Sequence, residues 1–130
     1  MKIALVTGGS RGLGKDMALQ LARHGHAVIV TYRTRQADAE QVVSAIKSSG
    51  GQAAALAFDA QDFKGLDGFV SRLKALLLQE WSADGFDFLI NNAGMGATVP
   101  FPAVTEEVFD NFLNVHFKSI YFLTQKCLPL

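Results

Sequence analysis

Thr7-Gly8-Gly9-Ser10-Arg11-Gly12-Leu13-Gly14 is the stretch on which the reading of this chain turns. Upstream of it Lys2-Ile3-Ala4-Leu5-Val6-Thr7 is a short apolar run of the kind that forms a buried strand. Downstream Leu13, Met17, Ala18, Leu21 and Ala22 recur at helical spacing, with Gly25 where a helix end is expected. A glycine-rich turn between a strand and a helix aims main-chain N–H groups and the positive end of the helix dipole at one point, which suits a diphosphate. Glycines also let the main chain approach a ligand without a Cβ in the way. The same turn could simply join two elements; its place after the first strand of a βαβ unit favours a nucleotide.

The rest of the chain repeats the alternation. Ala27–Thr31 reads as a second strand, and Ala39, Val42, Val43 and Ile46 as the apolar face of a second helix closed by Gly50-Gly51. Residues 53–58 form a third strand. A long helix carrying Phe63, Leu66, Phe69, Val70, Leu73, Leu76 and Leu77 on one stripe follows, and Trp81 fits that stripe. Residues 86–90 form a fourth strand, ending in Asn91-Asn92-Ala93-Gly94. A last helix is expected from Thr105, its N-cap, with Glu106 and Glu107 in the first turn, to about Leu128. Apolar strands alternating with helices imply an α/β fold, a doubly wound parallel sheet of Rossmann type with helices on both faces. In such a sheet the order reverses between strands one and four, and ligands bind in the crevice beyond their C-terminal ends. The two glycine-bearing turns should therefore face each other.

Together these two turns carry a resemblance. Gly8, Gly12 and Gly14 do not follow the GxGxxG spacing of other dinucleotide sites; they are similar to the TGxxxGxG motif of the short-chain dehydrogenase/reductase family. Asn91-Asn92-Ala93-Gly94 resembles that family's NNAG segment after strand four. The resemblance covers the first half of the family fold and implies a cofactor site built from Thr7, Gly8, Ser10, Arg11, Gly12, Leu13, Gly14, Asn92, Ala93 and Gly94. It implies that the Asn91 side chain ties neighbouring strands together and that Asp59 accepts from the adenine amino group.

Charge at the end of strand two bears on which nucleotide is bound. NAD sites usually carry an acid there for the ribose 2′-hydroxyl. Here Val30-Thr31-Tyr32-Arg33-Thr34 has none before Asp38, and Arg33 and Arg11 stand where NADPH-preferring relatives carry basic residues. Guanidinium groups pair with a 2′-phosphate through charge-assisted bonds. The expected cofactor is NADP, bound as NADPH.

The family's chemistry, hydride transfer to or from a carbonyl carbon, uses a Tyr-x-x-x-Lys pair, a serine and an asparagine. Four residues after Tyr32 is Gln36 and four after Tyr121 is Gln125, so the pair is not in this stretch. Asn114 alone matches the catalytic set. The expectation is residues 1–130 as a partial NAD(P)-binding domain, truncated before the catalytic serine and Tyr-x-x-x-Lys and inactive by itself. The full-length protein would reduce a ketone or 3-oxoacyl group, as the similar 3-oxoacyl-carrier-protein reductases do. The alternative is a naturally short, non-catalytic nucleotide-binding or interaction module.

Bulk properties narrow the partners. Twelve basic and twelve acidic residues among 130 give no field for nucleic acid or an anionic membrane. At 49% hydrophobic and 18% charged the composition is that of a globular domain. A single cysteine, Cys127, excludes an internal disulfide and suits a cytoplasmic protein; no apolar stretch approaches a membrane span, and no signal peptide is expected. His24, His26 and His116 lack metal-ligand spacing, and no metal is expected. Val108, Phe109, Phe112, Leu113, Val115, Phe117, Ile120, Phe122 and Leu123 leave the last helix almost no polar face. Either a subunit contact, giving a homo-oligomer, or further chain of the same protein would cover it. Strand four, as an uncovered edge, predicts poor solubility.

Overall fold

The structure is a computed structural model describing all 130 residues, Met1–Leu130. Its elements are β1 (Ile3–Val6), α1 (Gly12–Arg23), β2 (Ala27–Tyr32), α2 (Gln36–Ser48), β3 (Ala53–Ala57), α3 (Leu66–Trp81), β4 (Phe88–Ile90), α4 (Glu106–Leu113) and α5 (Ser119–Cys127). A single 3-10 turn, Phe101–Ala103, precedes α4. The strands form one parallel sheet in the order β3-β2-β1-β4, so the chain reverses direction across the sheet between β1 and β4. The doubly wound half-sheet expected from the sequence is present.

Alternation along the strands divides the core between two faces. Ile3, Leu5, Ala27 and Ile29 point to one, where Phe69, Leu73 and Leu77 of α3 and Leu123 and Cys127 of α5 cover them. Val6, Val28 and Val30 point to the other, under Ala18 of α1 and Ala39, Val42, Val43 and Ile46 of α2. Burial on both faces is why β1 and β2 are apolar throughout. Burial in this core pushes the Cys127 thiol up to about 11, as for a small hydrophobe in an apolar setting. Trp81 packs at the core's margin and donates its indole N–H to the Gln52 side chain at 2.7 Å.

The helix ends follow local chemistry. Gly25 and Gly50 close α1 and α2 in the left-handed region, at φ of 84° and 82°. Thr105 caps α4, its Oγ1 accepting from the Val108 N–H at 3.2 Å, and Glu106 and Glu107 lie in the first turn.

The structure departs from the expected elements in two places. Strand β4 starts at Phe88, not Phe86; the Phe86 N–H points away from β1 and donates to the Leu130 carbonyl at 2.9 Å. Asp87 stays tied to β1, its N–H donating to the Ile3 carbonyl at 2.8 Å and its side chain accepting from the Ile3 N–H at 2.8 Å. The last helix is not one continuous α-helix. A π segment, Asn114–Lys118, separates α4 from α5, and such insertions shift the phase of everything beyond them. The helix buries Val115, Ser119, Leu123 and Cys127, while Phe109, Leu113, Phe117 and Tyr121 remain exposed. A Lys126–Asp67 ion pair at 2.6 Å joins α5 to the start of α3.

Candidate nucleotide-binding site

A cavity of about 570 Å³ opens beyond the C-terminal ends of the strands. The loop after β1 forms one lip (Gly8, Ser10–Gly14) and the loop after β4 the other (Asn92–Gly96). The end of β2 and the loop after β3 (Asp59, Ala60, Gln61) complete the wall. Residues 80 positions apart in sequence thus meet in the crevice that a reversed strand order creates.

The first lip is held from below. Gly8 has φ of 67°, a conformation that L side chains rarely adopt, and a Cβ there would lie 3.0 Å from the Ala93 Cα. Its N–H donates to the Thr31 Oγ1 at 3.0 Å, and the Gly9 N–H donates to the Thr31 carbonyl at 3.1 Å. Gly14 lets α1 close on the lip: a Cβ would run into the Gly8 carbonyl oxygen and the Asn92 side-chain amide. The first main-chain bond of α1 is from Lys15 N–H to the Arg11 carbonyl at 3.2 Å. The successive amide N–H groups of Ser10, Arg11, Gly12, Leu13 and Gly14 take no acceptor from the chain, α1 has no side-chain cap, and no acid lies in its first turn. Unsatisfied donors at a helix N-terminus, with the dipole behind them, form an anion site.

Asn92 stitches the lips together. Its side-chain amide donates to the Thr7 carbonyl at 3.0 Å and to the Gly8 carbonyl at 3.1 Å. Thr7, 2% exposed, answers with its Oγ1, which accepts from the N–H groups of Asn92 and Ala93, both at 3.0 Å.

These contacts correct one expectation. The strand-tying side chain is Asn92, whereas Asn91 turns outward and donates to the Thr124 Oγ1 of α5 at 3.3 Å. Thr7 does not line the cavity; it stands behind the wall as a scaffold. Asn114 does not line it either. It begins the π segment, and its neighbour Val115 reaches the cavity instead.

The remaining candidates do border the space. Ser10, Arg11, Gly12, Leu13, Gly14, Arg33, Asp59, Ala93 and Gly94 all line it, with Leu13 70% exposed. Asp59 accepts from the Gln61 N–H at 2.9 Å through one carboxylate oxygen. Arg33 is exposed at the end of β2 and in no ion pair, while the neighbouring Arg35 is held by Asp38 at 2.8 Å. Asp38, the nearest acid after β2, is thereby engaged at the start of α2. Thr31 is one of several lining residues, with Gln61 and Val115, that no motif marks; a threonine closing an apolar strand was the available signal for it. No group of three His, Cys, Asp or Glu side chains is placed to hold a metal ion, and no helix is long and apolar enough to cross a membrane.

Comparison with known proteins gives consistent relatives. The family model described as short chain dehydrogenase matches residues 2–130. The chain is 35% identical over 124 residues to the hydroxynaphthalene reductase-like protein Arp2 of Metarhizium guizhouense, covering 95% of this chain and 44% of that protein. It is 34% identical over 129 residues to the 3-oxoacyl-[acyl-carrier-protein] reductase FabG of Staphylococcus aureus, covering 98% and 50%. Among solved structures, the landomycin C-6 ketoreductase LanV with bound NADP and rabelomycin superposes with a TM-score of 0.95 at 34% identity, covering 98% of this chain and 52% of that one. A short chain dehydrogenase from Burkholderia cenocepacia in complex with NADP gives 0.87 at 33%, covering 98% and 50%. The chain therefore spans about half the length of the relatives it matches.

Proposed function

The chain belongs to the short-chain dehydrogenase family, and on that premise we propose that it is the nucleotide-binding part of an NADPH-dependent reductase acting on a small-molecule ketone or 3-oxoacyl group. The observation that carries this reading is the run of unpartnered amides from Ser10 to Gly14 at an uncapped helix N-terminus, facing the Asn92–Gly96 lip across one cavity. A dinucleotide diphosphate supplies acceptors for such donors, and the glycines leave its oxygens room.

Arg33 and Arg11 would take the 2′-phosphate, which an acid at the end of β2 would repel. Asp59 has one carboxylate oxygen free of chain contacts to accept from the adenine amino group. Ala93 and Gly94, with no side chain beyond Cβ, leave space along the second lip. The bound cofactor would supply a hydride to a carbonyl carbon. Asn114, at the helical discontinuity beside Val115, is the residue of the reaction's proton path that this chain would contribute. The relatives' NADP complexes and reductase names support the assignment. We further place the whole protein in the cytoplasm as a homo-oligomer, with neither nucleic acid nor membrane as partner.

Cofactor choice is tested by titrating NADPH and NADH against intrinsic fluorescence. NADPH should bind at least about tenfold more tightly, the worth of one charge-assisted hydrogen bond of ~1.5 kcal/mol, and Arg33→Ala should narrow the gap. Equal affinities, or tighter NADH, would reject it.

A further inference from the structure

The second lip is fixed from outside the cavity by a residue that no motif assigns. His116, in the π segment, places its Nε2 2.7 Å from the Met95 carbonyl oxygen and 3.2 Å from the Met95 nitrogen. One nitrogen cannot donate and accept at once; in either tautomer Nε2 engages one Met95 main-chain group, donating to the carbonyl or accepting from the N–H. Phe112, one turn earlier, stacks on the imidazole with 5.8 Å between centroids and 21° between planes, which orients the ring. The fit is close on the other side too: a Cβ on Gly94 would lie 2.8 Å from the His116 Cε1.

Holding Met95 has a consequence across the cavity. The Met95 sulfur accepts from the Gln61 side-chain amide at 3.6 Å. Gln61 follows β3 and Met95 follows β4, the two outer strands of the sheet. Three strand spacings, roughly 14 Å, separate those strands, yet their loops touch. The Gln61–Met95 contact therefore bridges the ends of β2 and β1, where the cavity lies.

We propose that His116 is a positioning residue for the nucleotide cavity, holding the Met95 main chain so that the lip after β4 reaches the loop after β3. The inference rests on the nucleotide reading of the cavity and adds to it a residue that does not line the space. The exposed ring tolerates replacement without disturbing the core, so its loss should register at the lip.

The experiment compares the protein with His116→Leu and His116→Gln, the latter keeping a donor at similar reach. Hydrogen–deuterium exchange is followed in peptides spanning 91–98, and NADPH affinity by fluorescence titration. His116→Leu should accelerate exchange in that peptide and leave peptides from β1 and β2 unchanged. It should weaken NADPH binding about five- to tenfold, as loss of one hydrogen bond does, and His116→Gln should restore both to within about twofold of the parent. Unchanged exchange at 91–98 in His116→Leu overturns the positioning role whatever the ligand does. Faster exchange with unaltered NADPH affinity overturns its link to the cavity alone. If the parent protein takes up no NADPH, the nucleotide reading fails first, and the role of His116 in binding falls with it. Slower folding or general destabilisation in both variants would mark a merely structural residue.

Discussion

The two lips of the crevice rest on unequal foundations. The loop after β1 rises from a strand whose Ala4, Leu5 and Val6 are wholly buried between two neighbouring strands and covered on both faces. The loop after β4 rises from the sheet's edge, where Phe88 is 38% exposed and Leu89 and Ile90 are only half-buried. The first lip has its strand ladder and a single side-chain bond from Gly8 to Thr31, whereas several side-chain bonds hold the second: Thr7 Oγ1 takes its amides, Asn92 reaches back to Thr7 and Gly8, and His116 holds Met95. The anion cradle is thus set rigidly by the interior, and the opposite wall is attached to it by a few identifiable bonds. That division suits the proposed site, in which main-chain N–H groups of fixed geometry would hold the diphosphate.

The same inequality extends to the faces. The α1/α2 side is finished, while the last helix presents Phe109, Leu113, Phe117 and Tyr121 to solvent. Apolar patches of this kind mark contact surfaces. Either covering that the sequence left open, a second copy or further chain, would bury this stripe.

The largest loss is expected at Phe69, which is 1% exposed in the core beneath the sheet. Phe69→Ala should lower unfolding free energy by about 3–5 kcal/mol, whereas Phe117→Ala on the open face should change it by less than about 0.5 kcal/mol. Chemical denaturation measures both, and a large loss at Phe117 would mean that the stripe is already buried in solution. An intermediate effect is expected where the lips are joined. Asn92→Ala strands the carbonyls of Thr7 and Gly8 and should cost about 2 kcal/mol, and Thr31→Val, isosteric but without an acceptor for the Gly8 N–H, about 1 kcal/mol. Both should also weaken NADPH binding. If Thr31→Val binds NADPH as the parent does, the first lip needs no side-chain support and the contrast sharpens further.

What the sequence made legible was what local spacing encodes. The glycines at 8, 12 and 14, the strand periodicities and the Asn91–Gly94 turn are contiguous patterns, and they sufficed for sheet order and for both lips. The pairing of Thr31 with Gly8 was hidden because it joins neighbouring strands 23 residues apart, and a threonine in an apolar strand has many ordinary uses. Which of Asn91 and Asn92 faces β1 depends on where β4 stops. Strand β4 ends at Ile90, where the Asn92 N–H turns back to the Ile90 carbonyl at 3.0 Å, and composition does not record that turn. The π segment was invisible for a similar reason: helix periodicity in 105–128 does not reveal the changed winding at 114–118, the stretch that carries Val115, which lines the cavity, and His116, which meets Met95.

The most direct measurement is the backbone amide spectrum of the isotopically labelled protein during titration with NADPH. The largest shifts are expected at Ser10–Gly14 together with Ala93–Met95, saturating at one concentration. Shifts confined to one loop, or scattered over α2 and α3 with the Ser10–Gly14 amides unmoved, would contradict the proposed nucleotide site.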